Sequence, residues 1–340
     1  MLREKPRPVL SPNNKLSLII ACAFALMLPL AGNAMAKRPP KTVNIRNPSL
    51  KHVFIVMEEN IGYAQLQSEL SADNMPYLQS LIASGGLATN YFADFHPSIG
   101  NYFELIIGDS LVAGQISAIG DDYTPPAGGL DIDNVARDID ATAKLKNGRP
   151  APHPLTWRVY AEDLPKPPTG PGNGDPYEMH HNPFAYLSDV VGSTSEQAKL
   201  VDFTELATDV QNNTLPTYGF IVPNAYHSGH TPDPTPGAPS DREVEVDQWL
   251  QSEIAPLVAA VNQDDGLLII AWDEGDGADD THGGGQTGLI LIGPKVRPGY
   301  QSINLYQEQS VLRLMTQSIG LKHLLPDAVS APQMGEFFHR

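Results

Sequence analysis

Four β-like apolar runs punctuate the 340-residue chain: HVFIVM before Glu58-Glu59-Asn60, TYGFIV before Pro223-Asn224, LLIIAW before Asp273-Glu274, and TGLILIG. Three of them therefore open into acidic, amide or histidine groups. Residues just beyond the carboxyl ends of strands in an open α/β sheet converge on one crevice. Carboxylates, amides and histidines meeting there are the material of metal-assisted hydrolysis.

The densest cluster is Asp273-Glu274 with Asp276, Asp279 and Asp280. Like charges this close repel unless they are solvated or neutralised by a cation. Asp273 and Glu274 stand directly after an apolar run and are expected to ligate metal. The other three are expected to be solvated loop acids, since the spacing does not fit an EF-hand. Glu59 and Asn60, leaving a different strand, offer further hard oxygen donors.

In His96-Pro97-Ser98-Ile99-Gly100-Asn101 the helical periodicity starts after Ser98. That position could mean simple capping. It could also set a serine beside the free N–H groups and positive dipole end of a helix, where a phosphate binds. With a divalent cation nearby, Ser98 is a candidate nucleophile, and Asn101 a donor to the oxygens that gain charge. Five of the ten histidines fall in three polar loops: His180, His181, His227, His230 and His282. Histidines there can orient phosphate, protonate a leaving alkoxide or bind metal.

These pieces together resemble the phosphoesterase family of the alkaline phosphatase superfamily, which includes acid phosphatases and bacterial phospholipases C. The likeness runs over roughly residues 52–322. Its parts are Glu59-Asn60, Ser98 to Asn101, Trp157 to Pro165, His181 to Phe184, Pro223-Asn224 through His230, and Trp272-Asp273-Glu274. The resemblance implies a nucleophilic Ser98 and a metal surrounded by Glu59, Asn60, Ser98, Asp273 and Glu274. It implies phosphate contacts from His181 and His230, with Asn60, His96 and His282 also placed at the phosphate. Where family members often carry an acid two positions before His230, this chain has Ser228, so one metal per site is expected rather than two. A carboxylate-and-amide shell favours Mg, Ca or Mn.

The elements expected to position these groups alternate strands with helices. This implies an α/β fold with a largely parallel central sheet, and the resemblance implies an alkaline-phosphatase-like three-layer sandwich. Helices are expected at 76–86, at 156–164, at 242–262 and around 309–319, with an irregular insertion from about Asp109 to Pro154. Arg3, Lys5, Arg7 and Lys15 precede the apolar run from Leu16 to Leu30, and Ala34-Met35-Ala36 follows. That is the order of a secretory signal peptide over residues 1–36, followed by a leader at 37–49 and a catalytic domain at 50–340. A periplasmic or secreted location follows, with no stable membrane insertion after signal removal. Cys22, the sole cysteine, lies inside the signal, which excludes thiol catalysis and disulfides from the mature chain.

The net charge of −17 opposes nucleic-acid binding and docking on anionic lipid. An anionic substrate therefore needs a cation at the site. The first expectation is an acid phosphatase acting on small phosphomonoesters. The alternatives are a phospholipase C-type phosphodiesterase or a non-catalytic exported binding protein of the same fold.

Overall fold

The apolar runs are continuous rather than alternating because each becomes a strand covered on both faces. The computed structural model describes residues 46–339 apart from 146, 170–172, 175 and 276. The expected signal peptide, most of the leader, and Asp276 lie outside the described residues. Among the described residues the strands are β1 (His52–Glu58), β2 (Gly86–Phe92), β3 (Trp157–Ala161), β4 (Asn173–Gly174), β5 (Tyr177–Glu178), β6 (Leu200–Asp202), β7 (Tyr218–Val222), β8 (Gly266–Trp272), β9 (Gln286–Ile292) and β10 (Tyr300–Ser302). β4 and β5 pair only with each other. The other eight form one sheet in the order β10-β2-β9-β8-β1-β7-β3-β6.

β9 runs antiparallel to β2 and β8, and the remaining pairs are parallel. Glu58 stands opposite Trp272, and the Asp273 N–H donates to the Glu58 carbonyl at 3.0 Å. Glu59 and Asp273 thus leave the sheet side by side. The open end of β2, parallel to β1, delivers Asp94, Phe95 and His96 to the same rim.

Helices cover both faces. One layer holds α1 (Tyr63–Ser71), α2 (Pro76–Ser84), α8 (Glu205–Asn212), α9 (Arg242–Trp249) and α10 (Ala255–Gln263). The other holds α3 (Ile99–Ile107), α4 (Ser110–Ser117), α5 (Val135–Ala141), α11 (Glu308–Ser318) and α12 (Pro326–Ser330). Short turns α6 (Ser188–Val191) and α7 (Thr194–Gln197) join β5 to β6. Strand alternation sends Val53, Ile55 and Met57 into the α3 layer and Phe54 and Val56 into the α9 layer. By the same alternation Glu59 belongs to the α3 side and Glu58 to the α9 side.

The three-layer architecture and largely parallel sheet agree with the sequence reading; two local expectations are corrected and two expected helices are found with altered detail. Residues 156–164 contain a strand, β3, not a helix; Trp157, Val159 and Tyr160 are β-formers held between β7 and β6. The supposed irregular insertion contains α4 and α5, whose first turns are capped by Asp109 and Asn134. The helix expected at 76–86 stops at Ser84, and its cap, Gly85, is extended (φ −115°) rather than left-handed because Gly86 already begins β2. The stretch 242–262 is helical but broken by a π turn at Leu250–Ile254, where Pro256, lacking an N–H, follows.

Candidate active site

Ser98 begins α3 with its backbone already helical and its side chain making no capping bond. The hydroxyl instead points at the strand ends: Ser98 Oγ donates to Glu59 Oε2 at 3.3 Å. One helical turn on, Tyr102 donates its hydroxyl to Glu59 Oε1 at 3.0 Å, because positions four apart share a helix face. Asn60, in the left-handed region at φ 55°, turns back so that its Nδ2 donates to Glu59 Oε2 at 3.0 Å and its N–H to Asp273 Oδ1 at 3.3 Å. Glu274 Oε2 lies 2.9 Å from His96 Nδ1. Glu59, Ser98, Asn60, Asp273 and Glu274 therefore surround one buried rim.

His181 is buried with its Nε2 at 2.7 Å from Glu59 Oε1 and its ring stacked on Tyr102 at 4.9 Å. The rings of His180 and His230 are 4.1 Å and 5.7 Å from it. His230 is half-buried and therefore the more accessible of the two expected phosphate contacts. Desolvation, then the neighbouring His230, pushes His181 well below the ordinary imidazole range. His181 and His180, likewise lowered chiefly by burial, are thus held as neutral rings.

The carboxylates are pushed the other way. Burial lifts Glu59 to about 8, with Glu274 adding to the push and hydrogen bonds from Asp273 and Tyr102 opposing it. Asp273 is raised well above the usual range by burial, then by Glu59 and Glu274. Burial raises Glu274 against the pull of His96. Among the described residues none of the three is ion-paired with a lysine or arginine, and Asp273 Oδ2 is buried without a hydrogen-bond partner. Buried like charges in this state cost several kcal/mol unless a cation or proton compensates.

The donor chemistry suits a hard divalent ion: three carboxylates, an amide and a hydroxyl. Among the described residues no group of three or more His, Cys, Asp or Glu side chains is arranged to hold a metal ion. The fit rests on the mixed donor set and the orphaned Asp273 oxygen.

The structure places four of the expected groups elsewhere. Asn101 does not offer its amide to a phosphate: its Oδ1 accepts from the Asp94 and Phe95 N–H groups, and its Nδ2 donates to the Phe95 carbonyl at 2.9 Å. It shapes the loop that presents His96. His96 is not free for phosphate either, since its second ring nitrogen sits 3.2 Å from the Asp279 carbonyl; it braces Glu274. His282 is exposed, with its ring edge-on to Phe92 at 4.4 Å, and among the described residues it makes no bond to the rim carboxylates. His227 also departs from the phosphate cluster, pairing with Glu162 Oε2 at 2.7 Å.

Sequence reasoning missed Tyr102, recoverable from its spacing to Ser98. It also missed Asp121, whose Oδ1 accepts the Ile99 N–H at 3.2 Å; nothing in the local sequence marks it. Beneath the rim lies a second set of acids, Asp94, Glu104 and Glu308. Asp94 accepts from Gln307 and Gln309 at 2.6 and 2.8 Å and shares a hydrogen bond with Glu308. Glu104 is buried with neither oxygen partnered.

Against this geometry, the sequence pattern of the Phosphoesterase family matches residues 67–322. This chain belongs to the phosphoesterase family. Hydrolysis of phosphoric esters is accordingly its reaction class. Among curated proteins, this phosphoesterase is 27% identical to a phosphatidylinositol-3-phosphatase of Mycobacterium tuberculosis, over 81% of its own length and 78% of the relative's. It is 26% identical to an acid phosphatase of Aspergillus fumigatus, over 83% of its own length but 57% of that longer chain.

Solved structures with the same fold include a protein of the alkaline phosphatase superfamily from Vibrio parahaemolyticus (12% identity, TM-score 0.53, 87% of this chain and 76% of the other). A lipoteichoic acid synthase from Listeria monocytogenes is another (12%, 0.55, 85% and 78%). The family match begins after Glu59 and Asn60, so those two residues rest on the strand-end geometry.

Proposed function

We propose that this phosphoesterase is an exported acid phosphatase that cleaves small phosphomonoesters through Ser98, with one divalent cation per site. The observation that carries the reading is the Ser98 hydroxyl: it stands at a helix N-terminus yet caps nothing, and it is turned to Glu59 instead. Glu59, Asn60, Ser98, Asp273 and Glu274 would hold the cation. When bound, it would supply the Lewis-acid charge that lowers a hydroxyl pKa and draws electron density from phosphoryl oxygens.

Ser98 Oγ attacks phosphorus in line with the departing alkoxide; the Oγ–P bond forms as the P–O bond to the leaving group breaks. Glu59 is the acceptor in place for the Ser98 proton. The N-terminal turn of α3 presents its positive dipole end to the transferring group. His230, more accessible than His181, gives a proton to the departing oxygen, and His181 is held against Glu59 by the Tyr102 stack. Water, giving a proton to His230, then attacks phosphorus; the P–Oγ bond breaks, Glu59 returns its proton to Ser98 Oγ, and phosphate leaves.

The identity to an acid phosphatase over most of this chain supports a monoester substrate. The mycobacterial relative favours a second reading, a monoester carried on an inositol lipid. The excess of acid over base opposes that reading at an anionic bilayer. Purified protein assayed on a soluble chromogenic monoester, a phosphatidylinositol monophosphate in vesicles, a diester and phosphatidylcholine, with and without chelator, separates these readings. Cleavage of the diester alone would overturn the proposal.

A further inference from the structure

A hollow of about 520 Å³ is lined by Asp122, Tyr123, Met179, Tyr186 and Val191 among others. One wall contains Met179, the residue directly before His180-His181. Another contains Asp122, directly after Asp121, whose carboxylate accepts the N–H of Ile99 next to Ser98. The hollow is therefore tied at both ends to the residues around the nucleophile. Its size is that of a small-ligand pocket.

The walls are aromatic and rigidly mounted. Tyr123 and Tyr186 lie near-parallel, with ring centroids 6.0 Å apart. Both rest edge-on against Phe103 of α3, at 6.2 and 5.5 Å, so the helix that carries Ser98 also anchors the hollow. None of the described lining residues is a lysine, arginine or histidine, and the charged one is Asp122. A second phosphate or a carboxylate on the substrate would meet no positive partner there and one negative one.

We propose that this hollow receives the leaving group of the substrate, and that the group is a flat, uncharged, apolar alcohol such as a phenol or naphthol. The inference rests on the monoesterase reading above and adds its substrate class. It makes Tyr123 a specificity residue: its ring offers a stacking face to the departing alcohol, while phosphoryl contacts stay with the rim.

The test compares 2-naphthyl phosphate with glycerol 2-phosphate in the metal-loaded protein and in Tyr123→Ala and Val191→Phe. Val191 also lines the hollow, and the larger phenylalanine is expected to fill part of it. Taking the ratio of the two substrates within each enzyme, then comparing it with wild type, cancels the intrinsic reactivity of the esters. The expected result is that kcat/KM for the naphthyl ester falls about tenfold in either variant, mainly through KM, because an aromatic contact of this kind is lost or blocked. Glycerol 2-phosphate should change less than about twofold.

An unchanged ratio in both variants overturns the inference and leaves the phosphatase reading standing. Hydrolysis of neither ester by the wild-type protein overturns both. Thermal melts check folding, and Val191→Phe alone decides the matter if Tyr123→Ala does not fold.

Discussion

At the scale of single residues, the site turns on whether Ser98 is a cap or a nucleophile. Capping would make Ser98→Ala cost about 1 kcal/mol of stability with turnover intact. Its hydroxyl makes no cap bond, so the expected outcome is a fall in kcat of about 10³-fold or more with little change in melting temperature. Turnover and melting measured on the same sample decide between them. Asp273→Asn should lower bound divalent metal, measured by elemental analysis, together with the rate. Full activity in metal-free protein would refute the cation.

The residue types at this rim were legible because carboxylates directly after buried strands stand out. The roles of Asn101, His96 and His282 were not. An amide or imidazole in a loop has the same sequence signature whether it faces a ligand or, like Asn101, is spent on the backbone of residues 94–95.

At the scale of elements, the strands that deliver Glu59 and Asp273 were readable to within a residue, since an unbroken apolar run marks a strand buried on both faces. β3 was not: Trp157 to Ala161 is short and ends in Glu162-Asp163, so its pattern fits a helical turn as well as a strand. α4 and α5 were hidden by the Asp, Gly and Pro residues around them. Packing between elements gives a further prediction. A Cβ on Gly219 of β7 would lie 2.1 Å from the Phe54 ring of β1, so Gly219→Ala should destabilise by about 1–3 kcal/mol, read as a lower denaturant midpoint.

β3 is also tied to α8 through Asp209. Burial would raise this carboxyl, but hydrogen bonds from Tyr160, Thr214 and Arg158 outweigh it and hold it below the usual range. A depressed folded-state pKa stabilises above the unfolded value, near 3.9, and that contribution is lost as pH falls through the lower folded value. Asp209→Asn should therefore flatten the acid limb of melting temperature against pH below about pH 4, with its main cost seen near neutrality.

At the scale of the whole molecule, export is part of the proposal. The charged start, apolar run and Ala34-Met35-Ala36 predict an exported protein beginning near Lys37; N-terminal sequencing that returned Met1 would refute this. The acids beneath the rim have a different kind of global effect. Burial, then Asp94, lifts Glu104 to about 9, and burial, then Asp94, raises Glu308 well above the carboxylate range.

At Glu104, folding draws a proton out of solution. Between the unfolded value near 4.3 and about 9 for Glu104, the native state holds a proton that the unfolded chain has released. Stability tied to that proton is complete below the unfolded value and drains away as pH rises, by up to about 1.4 kcal/mol per pH unit for the group. Glu104→Gln removes the exchange, so it should raise the melting temperature at pH 8 while leaving it nearly unchanged at pH 4. Glu104 thus favours the folded state most in acid, the reverse of Asp209, which contributes most above the usual carboxylate range.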